Sequence, residues 1–323
     1  MKMAVAGTGS IGQRHISNLR QMRPDCQFIF LRADGRKDEL AQKLSAKVVS
    51  TFEEALSCSP DAMILANPSS LRADLILQAI SADLPIYIEK PVVTKLEDIE
   101  AIRKQLSKHE YNSPTLVGCN LRFLPSLQRL HWLLKNDVIG KIVRAVFEAG
   151  QWLPDWRPKQ DYRMSYSADT SRGGGVVMDL MHEIDAARWL LGDMVDVRAF
   201  LADTNILEIN SESVVTAIMR SNEGALISLA LDYIARQPLR RYQLVGEHGT
   251  LTWDLSTRSL TLDTTVGRDA MECGERGFDI ADTYRAAMTE FLNALEEQRK
   301  TSLPLEEGLN STELAIRIKE QSC

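Results

Sequence analysis

The sequence predicts an α/β protein: a doubly wound parallel sheet, then a second α/β domain with a large open, mostly antiparallel sheet. In the first third of the chain, short apolar strands alternate with helices, which is typical of a parallel sheet covered on both faces. Beyond residue 120, strands instead follow one another through short turns. We therefore predict domains at residues 1–120 and 121–323, with the last helix able to pack back on the first domain.

The individual elements follow from apolar runs and their flanking residues. The first domain has predicted strands at Lys2–Ala6, Gln27–Leu31, Lys47–Val49, Ala62–Ala66, Pro85–Glu89 and Thr115–Cys119. The second has predicted strands at Ile142–Gly150, Met194–Leu201, Ser213–Met219, Ala225–Tyr233, Arg240–Gly246, Thr250–Trp253 and Ser259–Thr264, and closing helices at Ile280–Arg299 and Leu305–Gln321. Two helices of the first domain carry predicted capping boxes, Thr51 with Glu54 and Thr94 with Glu97.

Composition excludes several classes of function. The net charge is −6 with both signs interspersed, so no basic stripe indicates a nucleic acid or an anionic membrane as partner. No apolar run approaches the length of a membrane span. The five cysteines are scattered and form no CxxC, which is typical of reduced thiols and argues against a metal site. We expect a cytoplasmic protein without a bound metal.

A glycine turn follows the first strand, in the order Gly7-Thr8-Gly9-Ser10-Ile11-Gly12. Gly7 permits the tight turn, Gly9 lets the backbone approach a phosphate, and Gly12 lets the next helix pack closely on the strand. The N–H groups of Ser10 and Ile11 then lie at a helix N-terminus, whose dipole attracts anions. The turn and its flanking strand and helix predict a dinucleotide-binding site.

The loop after the second strand decides which dinucleotide fits. The position where an acidic residue would bind the ribose of NAD is occupied by a basic segment that contains Arg32 and Arg36. Two guanidinium groups there would bind a 2′-phosphate through charge-assisted hydrogen bonds, which favours NADP over NAD. Asp34 would instead reach a ribose if the strand ended later, and a solvated basic loop is the simplest alternative.

Further polar residues follow the other strands, and in a parallel sheet these ends line the ligand crevice. Asn67 and Pro68 follow the fourth strand, and Glu89, Lys90 and Pro91 follow the fifth. A lysine at this edge would lie near the nicotinamide and would hydrogen-bond a substrate oxygen during hydride transfer. The alternative for Glu89 and Lys90 is a surface ion pair at the end of a strand.

A third polar group follows the run Gly173-Gly174-Gly175 on a predicted helix that ends near Gly192. Asp179, His182 and Glu183 are predicted to share the face opposite the apolar stripe. A carboxylate beside an imidazole fixes its tautomer and tunes its pKa toward neutrality, as a general acid or base requires. A structural histidine is the common alternative, and the spacing lacks the HExxH form of a zinc site.

In this order, the motifs resemble those of the Gfo/Idh/MocA oxidoreductases. They are GxGxxGxxH at residues 7–15, EKP at 89–91, NxR at 120–122, GGGxxxD at 173–179, HExD at 182–185 and WLLG at 189–192. The resemblance runs from the first strand to the last helix. It implies a Rossmann domain and nicotinamide-dependent oxidation or reduction of a sugar, amino sugar or cyclitol. It also implies homodimers or homotetramers that pack through the open sheet.

The resemblance also assigns catalytic roles. Lys90 corresponds to the active-site lysine of EKP, His182 to the catalytic histidine and Asp179 to its acidic partner, and the Lys90–Pro91 peptide is expected to be cis. The chain departs from the family pattern at two points. Asp179 and His182 are three positions apart rather than four, and Arg72 replaces a histidine often found after the fourth strand.

Substrate residues are expected just before the GGG run. The segment around Trp156 is similar to a branch of the family associated with surface-sugar biosynthesis, including nine-carbon acidic sugars. The aromatic rings present there would stack on a sugar, and the basic side chains would bind a carboxylate or phosphate. These predicted substrate residues are Trp156, Tyr162, Tyr166, Arg163 and Arg157, together with Arg122 of the NxR motif. The alternative is a long loop that its own aromatic residues hold in place.

Two other functions are compatible with the same scaffold. One is a glycoside hydrolase that retains NAD and eliminates a sugar substituent through transient oxidation. The other is a non-catalytic dinucleotide sensor, which has no need of the Asp179–His182 pair.

Overall fold

A computed structural model describes residues 1–156, 158 and 160–321. The contacts within the chain divide it into two compact units. The first contains Met1–Cys119 and Tyr284–Asn310, and the second contains Asn120–Thr283 and the residues from Ser311 onward. The residues of the second predicted range, 121–323, are therefore divided between both units.

The first unit is built on a parallel sheet of six strands in the part of the chain that the structure describes. The strand order is β3-β2-β1-β4-β5-β6, with all neighbours parallel, which confirms the predicted doubly wound architecture. Its elements are β1 (Lys2–Ala6), α1 (Ser10–Met22), β2 (Gln27–Leu31), α2 (Glu39–Lys43), β3 (Lys47–Val49), α3 (Phe52–Leu56), β4 (Ala62–Leu65), α4 (Ala73–Ser81), β5 (Ile86–Ile88), α5 (Leu96–Lys108) and β6 (Thr115–Val117).

The central strands of this sheet are buried on both faces, as expected where helices cover a parallel sheet. The strand order reverses between β1 and β4, so the loops after these two strands open at the edge of the sheet where ligands bind in this architecture. One half of the first predicted capping box is confirmed, since Thr51 accepts a hydrogen bond from the backbone of Glu54, whereas the Glu54 carboxylate accepts from the N–H of Ser50 rather than from that of Thr51. The second predicted box is wrong, because α5 begins at Leu96 with Lys95 as its N-cap.

The second unit contains a larger sheet, with the order β14-β13-β12-β11-β7-β10-β9-β8 among the described residues. Only the β7–β10 pairing is parallel there, so the predicted mostly antiparallel sheet is confirmed. Its elements are α6 (Pro125–Lys135), β7 (Ile142–Gly150), α7 (Val176–Asp179), α8 (Met181–Leu191), β8 (Met194–Ala202), β9 (Val214–Ser221), β10 (Leu226–Asp232), β11 (Leu239–Gly246), β12 (Thr250–Asp254), β13 (Ser259–Thr264) and β14 (Gly267–Ala270).

Residues of the larger sheet alternate between buried and exposed, most regularly along β9 and β10. One face of the sheet is therefore packed against the unit's own core, while the other carries exposed side chains. The short edge strand β14 was not expected from the sequence, because its residues Gly267–Ala270 are all exposed and show no apolar alternation. The last helices are α9 (Ile280–Glu297) and α10 (Leu305–Glu320).

Within the ranges that the structure describes, no helix combines the length and the hydropathy that a membrane crossing requires.

Candidate functional site

The glycine turn has the backbone geometry that its sequence predicts. Gly7 has φ +91°, and a Cβ on it would lie 2.3 Å from the backbone nitrogen of Asn67. A Cβ on Gly12 would lie 2.0 Å from the carbonyl oxygen of Gly7, so the helix packs tightly on the turn. A Cβ on Gly9 would meet no atom within 4 Å. The inner side of the turn is closed by backbone, and the outer side is open to a ligand.

Helix α1 directs its positive end toward this open side. Its first α-helical hydrogen bond runs from the N–H of Gln13 to the carbonyl of Gly9, at 2.9 Å. The N–H groups of Ser10 and Ile11 therefore precede the helical ladder, and no acidic residue lies in the first turn. Such a helix N-terminus is suited to bind a phosphate group.

The loop after β2 places Arg32 beside the glycine turn. Its Nη2 donates to Thr8 Oγ1 at 2.9 Å and to Asp38 Oδ2 at 2.9 Å, and its Nη1 donates to the carbonyl of Arg36. The hydrogen bond from Arg32 lowers the pKa of the Asp38 carboxyl. Arg36 itself is exposed. No sequence pattern indicated Asp38, which lies six residues after Arg32. Its carboxylate partly neutralises the Arg32 guanidinium.

The EKP loop after β5 is joined to helix α1 through a buried hydrogen bond between two side chains. Glu89 Oε1 lies 2.6 Å from His15 Nε2, and both side chains are buried. Burial raises the pKa of Glu89, but the hydrogen bond from His15 and the charges of His15, Arg72 and Lys90 outweigh it, so the pKa lies below its usual range. The surface ion-pair interpretation is therefore wrong for Glu89. The Glu89 carboxylate instead connects helix α1 to the loop that contains Lys90.

Three further features of this edge concern the predicted ligand residues. The Lys90–Pro91 peptide is cis, as the resemblance implied. Asn67 donates from Nδ2 to the carbonyl of Leu71, so the loop that it shares with Pro68 is folded back on itself. No sequence pattern marks Gly118, yet a Cβ there would lie 2.9 Å from Glu89 Oε1. Glycine at that position leaves room for the buried carboxylate.

In the second unit, the predicted helix with Asp179 and His182 is two helices. Helix α7 ends at Asp179 and α8 begins at Met181, with Leu180 between them at ψ 27°. Asp179 and His182 are both partly exposed, and they lie on either side of this break. The prediction of one continuous helix is wrong, because the contacts on both sides of Leu180 are tertiary and leave no periodic signal.

Tyr233 is the contact of Asp179 that sequence reasoning missed. Its hydroxyl donates to Asp179 Oδ2 at 2.7 Å, and its ring packs edge-on against Trp156 at 5.4 Å between centroids. Burial and the neighbouring Asp179 carboxylate raise the pKa of Tyr233 well above its usual range. The tyrosine therefore remains protonated and orients the carboxylate. Its only sequence signal was an aromatic residue at the end of a predicted strand.

Glu183 differs from its predicted position. It is fully buried, accepts a hydrogen bond from the Tyr242 hydroxyl at 3.0 Å and pairs with Arg240 Nε at 2.7 Å. It does not lie on an exposed face with Asp179 and His182, because the break at Leu180 turns α8 so that Glu183 faces the larger sheet. Glu183 therefore belongs to a buried polar network rather than to the candidate site.

The predicted substrate residues lie in different surroundings within the second unit. Arg122 is buried and binds Asp185 through two hydrogen bonds of 2.8 and 2.6 Å, so its bidentate edge faces a protein carboxylate. Arg163 is exposed and pairs with Asp161 and Glu208. These two side chains already have acidic partners, and their contact with substrate stays a prediction.

The aromatic residues of the same segment hold their own loop. Tyr166 donates to the carbonyl of Gly173 at 2.7 Å, and the hydroxyl of Tyr162 accepts from the backbone of Glu208. A cavity of about 680 Å³ lies beside this loop, and Arg163 is the predicted substrate residue that lines it. These contacts favour the interpretation of a loop held by its aromatic residues. Arg157 lies outside the described residues.

Both units of the chain are similar to known proteins. Residues 1–112 match the model of the oxidoreductase family with an NAD-binding Rossmann fold, and residues 127–252 match that of the GFO/IDH/MocA C-terminal domain. A myo-inositol 2-dehydrogenase of Thermotoga maritima is 25% identical, over 94% of this chain and 90% of the relative. A UDP-N-acetylglucosamine 3-dehydrogenase of Acidithiobacillus ferrooxidans is also 25% identical, over 93% and 90%.

Two solved structures extend the comparison of folds. The crystallised UDP-N-acetylglucosamine 3-dehydrogenase of Acidithiobacillus ferrooxidans superposes with a TM-score of 0.80 at 22% identity, covering 100% of this chain and 97% of the other. A levoglucosan dehydrogenase in complex with NADH and levoglucosan superposes with a TM-score of 0.85 at 19% identity, also covering 100% and 97%. The fold of the chain is therefore that of these enzymes.

Proposed function

Because the chain belongs to the Gfo/Idh/MocA family of oxidoreductases, we propose that it transfers hydride between a nicotinamide cofactor and a hydroxyl or keto carbon of a sugar, amino sugar or cyclitol. The observation that carries this proposal is the open glycine turn at the switch point of the parallel sheet, on the same sheet edge as the EKP loop. The named relatives act on an inositol and on an amino sugar nucleotide, which supports the substrate class.

The residues of the first unit fit a dinucleotide. The N–H groups of Ser10 and Ile11 would bind the pyrophosphate, and the open side of Gly9 admits it without a clash. Asn67, Pro68 and Glu89 lie in the neighbouring loops and would line the rest of the site. The bound cofactor supplies the carbon that accepts or donates hydride.

The proton that accompanies the hydride requires groups on the protein. We assign to Lys90 the polarisation of the substrate oxygen and to His182 the removal or return of the hydroxyl proton. Asp179, oriented by Tyr233, would fix the tautomer of His182 and stabilise its charged form. General acid–base catalysis of this kind contributes about 10²- to 10⁴-fold to a rate.

These roles can be tested directly. The protein would be incubated with NAD⁺ or NADP⁺ and a panel of sugars, amino sugars and cyclitols, and absorbance of the reduced nicotinamide followed. Against the best substrate, Lys90→Ala and His182→Ala should each lower kcat by about 10²-fold or more, with cofactor affinity nearly unchanged. The exposed Lys95→Ala and His109→Ala are matched controls. Full turnover in both site variants would refute the roles, and turnover without net reduction of cofactor would favour the NAD-retaining hydrolase.

We propose that the cofactor is NADP in preference to NAD. The guanidinium of Arg32, which reaches Thr8 in the glycine turn, supports this, because it places a cation where the adenosine ribose binds in this fold. Asp38 opposes the preference for NADP, because its carboxylate pairs with the Arg32 guanidinium. Arg36 adds a second cation, which is exposed. Arg32→Gln should weaken NADPH binding about tenfold or more and leave NADH binding nearly unchanged, measured by cofactor fluorescence. Equal losses for both cofactors would contradict the assignment.

We further propose that the protein assembles as a homodimer or homotetramer through the open face of the larger sheet. Phe200, Ile218 and Leu226 on neighbouring strands of that face are 73%, 63% and 50% exposed. Exposed apolar groups on one surface are typical of a contact between protein chains. Ile218→Glu should shift the mass measured by light scattering toward one chain, whereas Val266→Glu, in the turn between β13 and β14, should not. An unchanged assembly in Ile218→Glu would exclude this face.

Two finer assignments rest on the sequence alone. A place in surface-sugar biosynthesis is supported by the similarity of the segment around Trp156, and a cytoplasmic location by the scattered cysteines. Both remain proposals.

A further inference from the structure

One buried cation in the first unit is not accounted for by the proposed chemistry. Arg72 is only 5% exposed, and its Nε and Nη2 donate to the carbonyl of Asn67 at 2.9 and 2.6 Å. Its Nη1 donates to the carbonyls of Glu89 and Pro91. A single guanidinium thereby joins the loop after β4 to the loop after β5.

Arg72 contacts the residues on both sides of Lys90. Glu89 and Pro91 precede and follow that residue, and the guanidinium binds the carbonyl of each. The main chain of Lys90 is therefore held from both ends against the loop of Asn67. Hydrogen bonds to a charged donor are stronger than neutral ones, and burial from water strengthens them further.

Arginine suits this position for a geometric reason. Its planar fork has five N–H donors in fixed directions, so it can bind carbonyls from two loops together. The ammonium of lysine keeps the charge but lacks the fork, and an imidazole has at most two N–H groups. The histidine that the family resemblance leads one to expect here would not make the same set of contacts. The charge of Arg72 is balanced by Glu89, whose pKa it helps to lower.

We propose that Arg72 is a positioning residue that fixes the backbone of Lys90 and thereby sets the rate of the hydride-transfer step. The inference rests on the proposed function, in which Lys90 polarises the reacting oxygen. It adds a requirement that the function alone does not contain: the planar fork of Arg72, and not only its positive charge, is needed for full turnover.

The test compares Arg72→Lys and Arg72→His with the wild-type protein. Arg103→Lys is the matched control, because Arg103 lies in the same unit and binds Glu306 and Asn310. Displacement of a reacting group by about 1 Å costs about 10²-fold in rate. Both Arg72 variants should therefore lower kcat by about 10- to 100-fold, with the KM for the sugar changed less than about threefold.

Amide hydrogen exchange provides a second measurement that needs no substrate. Peptides that cover residues 67–72 and 89–92 should exchange faster in Arg72→Lys, whereas those that cover β2 should not. Wild-type kcat together with unchanged exchange in the Arg72 variants would overturn this inference and leave the proposed function intact. If the wild-type protein oxidises no sugar, the proposed function fails, and the exchange data still decide whether Arg72 holds the loop. Should Arg72→Lys fail to fold, Arg72→His gives both measurements.

Discussion

The buried pair of Glu89 and His15 allows a quantitative prediction about stability. Glu89 is 5% exposed, and its carboxylate lies 2.6 Å from the imidazole. The carboxylate also lies near the buried cation Arg72, whose charge helps to lower its pKa. Removal of one charge from such a buried group costs about 3–5 kcal/mol, because the opposite charge is left without its partner. Glutamine has nearly the volume of glutamate, so Glu89→Gln creates no cavity. We expect its free energy of unfolding at pH 7 to be lower by about 3 kcal/mol.

The difference in free energy of unfolding between the wild type and Glu89→Gln should depend on pH, in a direction that follows from the pKa of Glu89. The pKa of Glu89 is lowered in the folded protein from its ordinary value of 4.5, so its contribution is fully present above that pH. The contribution is lost as the pH falls through the folded-state pKa. The stability difference between the wild type and Glu89→Gln should therefore decrease as the pH falls below about 5. The size of the decrease is set by how far folding lowers the pKa of Glu89. Glutamine does not titrate and gives no such change.

Urea unfolding at several pH values, followed by circular dichroism, measures both quantities. Glu97→Gln is the matched control, because Glu97 is exposed in the first turn of α5 and should change stability by less than about 0.5 kcal/mol. If Glu89→Gln is as stable as the control at pH 7, the buried carboxylate contributes nothing to stability. If the stability difference is the same at neutral and acidic pH, the folded protein does not lower the pKa of Glu89.

Three other substitutions test separate parts of the structure. Gly7→Ala forces a Cβ against the backbone at a positive φ, and fluorescence titration should give cofactor binding weakened by about tenfold or more. Arg122→Met leaves Asp185 buried without its cation, so the free energy of unfolding should fall by about 3–5 kcal/mol in a urea titration, and an unchanged value would show the pair to be dispensable. Tyr233→Phe removes the donor to Asp179 and should lower kcat about tenfold, whereas full activity would separate Tyr233 from the reaction.

The sequence predicted the elements of the molecule well where local patterns decide them. Strands such as Gln27–Leu31 and Ile142–Gly150 have the predicted bounds, because apolar runs and alternation report burial directly. The turn at Gly7 also follows the prediction, since its φ of +91° lies in a region that residues with a Cβ rarely adopt. Beyond these patterns, the resemblance to a family added the cis peptide at Pro91.

The fold class, the dinucleotide turn and the order of the motifs were thus determined by the sequence alone. The partners of the charged groups were decided only by the tertiary structure: Glu89 pairs with His15 across 74 residues, and Tyr233 reaches Asp179 across 54. The break between helices α7 and α8 at Leu180 was likewise decided only by the tertiary structure. Periodicity records whether a side chain faces a core, whereas the polar partner of a charged group is decided by distance, and chain folding alone brings those two groups together.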